Sequence, residues 1–153
     1  MLNFDIDWPI IIDHSFSLGM AFLLALPIAI NRETETRSAG LRTFPIVSVS
    51  ACGFILIASH VFSDVNAQAR VIQGVITGIG FIGGGAILKS DAQVTGLATA
   101  ASIWTTGAIG IAVAWHRYEI AIVLSLVTFL TLRLGTTAKK AIPQEDDNSQ
   151  SNK

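Results

Sequence analysis

Three groups of polar side chains interrupt an otherwise apolar sequence: Asp13 with His14, His60 with Asp64, and His116 with Glu119. Carboxylates can meet hydrated Mg2+, and imidazoles change charge near neutral pH and can sense acid. The plainer reading is polar residues scattered along a membrane interface. Their spacing matches no zinc site. Ser, His and Asp all occur, yet no segment assembles a nucleophile, a base and its orienter, so no catalytic residues are expected. A fourth group, Arg32, Glu33, Glu35 and Arg42, lies within NRETETRSAGLRT. Glu33 and Arg42 can pair across the mouth of a helix bundle; alternatively these charges reach water or anionic lipid at a membrane edge. Cys52 is the only cysteine, which excludes a disulfide framework and a Cys-rich metal site. It lies in an apolar run and reads as a small packed hydrophobe. No cofactor and no bound metal is expected.

The segment GVITGIGFIGGGAIL places Gly78, Gly80 and Gly83 at GxGxxG spacing. That pattern binds a dinucleotide only between a strand and a helix, where free amides meet pyrophosphate. Here it sits in an apolar run, which predicts helix packing instead. Gly74 and Gly78 are four apart, as are Gly80 and Gly84, and glycine lets helix backbones approach where lipid supplies no hydrophobic drive. The same glycines weaken the helix and can break or hinge it. Downstream, Thr95, Thr99, Ser102, Thr106 and Gly110 fall on one helical stripe, which reads as a packing partner or as a polar pathway.

The elements that carry these residues follow from composition. Of 153 residues, 51% are apolar and only 14% charged, with mean hydropathy +0.58. A water-soluble domain is typically about a quarter charged. Net charge is −1, so no basic field draws nucleic acid. A membrane helix needs about 20 mostly apolar residues. Five segments meet or approach that: 9–30, 44–62, 71–88, 97–114 and 118–132, the last being the shortest. They do not alternate as barrel strands do. The fold class expected is therefore all-α, a polytopic bundle of about five transmembrane helices over residues 1–135, with a polar tail at 136–153. The start, MLNFDIDWP, lacks the basic residues of a cleavable signal. Pro27 lies inside the first segment and should kink it, leaving the Leu23 carbonyl without its usual donor. With five crossings, Arg70 and Arg117 fall on one side. Arg32, Arg37, Arg42, Lys89, Arg133, Lys139, Lys140 and Lys153 fall on the other. The positive-inside rule then predicts an external N-terminus and a cytoplasmic C-terminus, with Trp8, Trp115 and Tyr118 at the outer boundary.

Three segments together resemble the MgtC/SapB family of bacterial inner-membrane proteins: NRE with SAGLRT, GVITGIGFIGGGAIL, and VTGLATAASIWTTGAIG. The motif positions are Arg32, Glu33, Gly40, Arg42, Gly78, Gly80, Phe81, Gly83, Gly85, Gly96, Thr99 and Ser102. The resemblance covers about residues 18–132. It implies a five-helix membrane domain, adaptation to low Mg2+ and, in pathogens, survival in macrophages. It further implies a non-enzymatic regulator of other membrane machinery, such as the F-type ATP synthase. The partners implied are membrane lipid and another membrane protein, with a homo-oligomer as the alternative. Transport of Mg2+ or another solute through the bundle is the competing function. Asn31 stands where the family usually has an acidic residue, and Pro27 where it has a small or apolar one. Many members carry a soluble C-terminal domain resembling an ACT fold, and here a short tail follows, which puts any function of that domain in doubt.

Overall fold

The computed structural model of the chain describes residues 7–35, 39–89 and 93–141. Arg37, Ser38, Lys153 and the PQEDDNSQSNK end of the tail lie outside the described residues. The fold is all-α. Helix α1 spans Trp8–Glu35, α2 Thr43–Val61, α3 Val65–Gly85, α4 Leu97–Ala114 and α5 Tyr118–Ala141. Two short strands, β1 (Leu88–Lys89) and β2 (Val94–Thr95), pair antiparallel between α3 and α4.

The contacts show how the chain runs. Glu33 meets Leu41 at one end of the α1–α2 pair, and His14 meets His60 at the other. Gly83 faces Ala100 while Ile79 covers Gly107, so α3 and α4 are antiparallel. Ser125 meets Leu24 and Tyr118 meets Phe16, so α5 runs parallel to α1. Successive helices thus alternate in direction, as short connections require. The bundle has an Arg32 end and a histidine end. Helix α4 stands at the centre, in contact with α1, α2, α3 and α5, and the α2–α4 pair is the most extensive. Its sequence, LATAASIWTTGAIGIAVA, is rich in Ala, Gly, Ser and Thr. Small side chains let four neighbours approach one helix where no hydrophobic drive exists between them.

Four of the five helices are long and apolar enough to cross a membrane: Trp8–Glu35, Thr43–Val61, Leu97–Ala114 and Tyr118–Thr137. The expected third segment, 71–88, is the one the structure redraws. Helix α3 begins at Val65, and its first half carries Asn66, Gln68, Arg70 and Gln73. It starts early because Asp64 caps it, accepting from Asn66 N at 3.1 Å and Ala67 N at 3.3 Å. The fifth helix, expected to be shortest, instead runs on past Gly135.

Pro27 does not interrupt α1. On α5, Ser125 Oγ donates to the Leu24 carbonyl at 2.6 Å, beside the Leu23 oxygen that Pro27 deprives of its helix donor. Replacing Ser125 with Ala should lower stability by about 1 kcal/mol, read from thermal unfolding in detergent. An unchanged midpoint would remove this tie from the account.

Candidate functional site

The motif residues divide between two places. The first is the Arg32 end of the bundle. Arg32 lies in the last turn of α1, only 6% exposed, and its guanidinium donates to Thr99 Oγ1 at 3.1 Å. Thr99 is fully buried in the first turn of α4. A charged donor on a buried hydroxyl is worth more than a neutral pair. Next to it, Glu33 Oε2 accepts from Leu41 N at 2.9 Å and holds the chain as it turns into α2. Gly40 packs so closely beneath that a Cβ there would strike Glu33 Oε2, and its carbonyl accepts from Thr43 N and Phe44 N. Glu33 therefore meets backbone, not Arg42. Of the two alternatives for these charges, the Glu33–Arg42 pair does not form, because the tight turn brings the Leu41 amide to the carboxylate and leaves Arg42 exposed.

The hairpin completes this end. Gly96 has φ +87°, and a Cβ there would strike the Ala86 carbonyl, so both conformation and space require glycine. Gly83 is buried against Ala100 O, which a Cβ would meet at 3.2 Å. Ser102 is buried, and its Oγ donates to Ala98 O at 2.7 Å. Thr106 Oγ1 donates likewise to Ser102 O at 2.7 Å. Within the hydroxyl stripe of α4, Ser102 and Thr106 are therefore engaged with their own helix, in the i to i−4 manner, while Thr99 meets Arg32. Thr95 is not part of it. It sits in β2, before the helix begins.

The second place is the outer surface of α3. Among the described residues, a Cβ added at Gly74, Gly78, Gly80, Gly84 or Gly85 would meet nothing within 4 Å. Of the glycine-rich segment, only Gly83 serves as the close-packing glycine expected from the sequence. Gly78 lies instead along an apolar groove of about 620 Å³ between α2 and α3. Val47, Ala51 and Phe54 form one wall, and Val75, Ile79 and Phe81 the other. Phe81 is 85% exposed.

The closest helix-to-helix approaches among the glycines fall outside the motif residues. A Cβ at Gly110 would overlap the Ser48 carbonyl and approach Cys52 N at 3.0 Å, and one at Gly107 would overlap Ile79. The signal for Gly110 was its place on the hydroxyl stripe. Ser125 was legible only as a lone hydroxyl within the apolar run IVLSLV.

The MgtC family model matches residues 18–141. The chain is 34% identical over 139 residues to Protein SrpB of Synechococcus elongatus, covering 82% of this chain and 75% of that one. It is 35% identical over 124 residues to YhiD of Escherichia coli strain K12, whose name proposes a magnesium transporter, covering 76% and 58%. It is 38% identical over 104 residues to Protein MgtC of Brucella abortus, covering 68% and 43%. The chain thus spans about half the length of the last two relatives. No solved structure matches. The resemblance read from three short motifs holds across most of the chain, and the chain is a membrane protein that belongs to the MgtC family.

Proposed function

We propose that this chain is a non-enzymatic regulator that acts on another membrane protein through the α2–α3 groove. Its setting is the bacterial inner membrane, with the N-terminus outside and the Arg32 end facing the cytoplasm. The observation that carries the reading is the groove itself. It is apolar, opens on the outer surface of the bundle, and includes glycines over which a partner helix can come close. Family membership and the relatives named MgtC and YhiD support a role in Mg2+ adaptation.

Transport through the bundle is the competing reading, suggested by the name of the Escherichia coli relative. Against it, α2, α3 and α4 carry no Asp or Glu along their length. A conducting path needs polar groups facing the ion.

Tagged co-purification from native membranes tests the proposal. Gly78→Leu puts a side chain into the groove from a Cβ position that meets no other atom, and should reduce partner recovery about tenfold or more, the effect of spoiling an interface hot spot. Gly83→Leu is the contrasting variant, because its side chain enters the α3–α4 contact and should weaken the bundle itself. Folded Gly78→Leu protein that recovers its partner at the wild-type level would overturn the reading. Recovery of only a second copy of the chain would redirect it to self-association.

A further inference from the structure

All three histidines of the chain lie at the histidine end of the bundle, far from the motif residues at the other end. His14 is in the second turn of α1 and His60 in the last turn of α2. Their ring centroids are 4.7 Å apart with the planes at 84°. His60 Nδ1 lies 3.2 Å from the Leu56 carbonyl. A carbonyl can only accept, so this contact holds the proton on Nδ1 and leaves Nε2 with a free lone pair. The same arrangement, a ring N–H tied to a backbone carbonyl, fixes the tautomer of histidines that ligate metals.

We infer that His14 and His60 form a two-imidazole site for a divalent transition-metal ion of the Zn2+ or Ni2+ type. Imidazole binds such ions at about 2.0–2.1 Å, which sets two rings on one ion about 5 Å apart between centres. The observed separation is close to that. Among the described residues no three His, Cys, Asp or Glu side chains gather at one point, so water completes the coordination. Two protein ligands with water make a labile site, suited to an exchangeable ion. The ligands come from α1 and α2, so the ion ties those helices together at this end. The neighbouring ionisable groups are differently engaged. His116 Nδ1 lies 2.9 Å from the Tyr118 hydroxyl and its Nε2 4.0 Å from Asp13, while Asp64 caps α3. Imidazole selects a softer ion than Mg2+, which prefers oxygen ligands and its own water. The site is therefore independent of any role in Mg2+ adaptation.

The test uses the full chain in detergent, purified through a tag without histidine and titrated with Zn2+ and with Ni2+ at about pH 7.5. One ion should bind per chain and raise the unfolding temperature. His14→Gln and His60→Gln should each weaken binding by about tenfold or more. His116→Gln should leave it unchanged. Unfolding midpoints without metal show whether each variant folds. Protection of His14 and His60 from diethyl pyrocarbonate by Zn2+ in the unmutated chain gives the same answer without variants. No binding, binding that survives both the His14 and His60 substitutions, or loss of binding in His116→Gln would each overturn the assignment.

Discussion

Gly110→Leu is expected to leave little folded protein. Even the first carbon of the new side chain would overlap the Ser48 carbonyl and approach Cys52 N at 3.0 Å. Both are backbone atoms of α2, so no rotamer change relieves the clash. The whole α2–α4 contact, the most extensive in the bundle, must open. Overpacking of a close contact costs about 1–3 kcal/mol, and a backbone obstruction stands at or beyond the upper end. Gly110→Ala should already lower the unfolding midpoint in detergent, and Gly110→Leu should fail to yield a monodisperse protein. Gly80→Leu is the matched control on an open face. Equal loss in both variants would mean that α2 and α4 do not pack as described.

The second large effect is expected at Arg32. Its guanidinium is buried and donates to the fully buried Thr99, joining the last turn of α1 to the first turn of α4. Hydrogen bonds to charged groups contribute about 1.5–3 kcal/mol, so Arg32→Met and Thr99→Val should each destabilise by that order. The double variant should lose less than the sum of the two, with a coupling of about 1–2 kcal/mol. Arg32→Lys should not restore the wild type, because an ammonium cannot reproduce the planar fork of the guanidinium. Strict additivity of the two single changes would show that the bond carries no energy.

These two positions also show how far the sequence could be read. Arg32 was legible as a functional residue because a cation at a membrane edge is conspicuous and belongs to a recognisable motif. Its partner was not. Sequence proximity suggested a bridge between Glu33 and Arg42, whereas the turn at Gly40 sets Glu33 on the Leu41 amide. Thr99 lies 67 residues from Arg32, and only the packing of α1 on α4 brings them together. The glycines show the same limit. Spacing of four marks residues that share a helix face, but not which face meets protein. The spacing of Gly78, Gly80 and Gly84 predicts contact positions, yet they face outward, and the closest helix-to-helix approach of a glycine falls at Gly110. The limits of α4 were readable because Gly96 and Trp115 bound a run without charged residues. The start of α3 was not, because the Asp64 cap extends it through polar residues that resemble a loop.

We propose the α2–α3 face as the place where this protein meets a membrane partner. It is tested most directly by photo-crosslinking in living cells from a single reactive residue placed at Phe81, with a second site at Leu126. Phe81 flanks the groove, and Leu126 lies on an exposed face of α5. A discrete adduct with another membrane protein is expected from Phe81, lost when Gly78→Leu is added, and none from Leu126. Lipid adducts alone from both positions would contradict it.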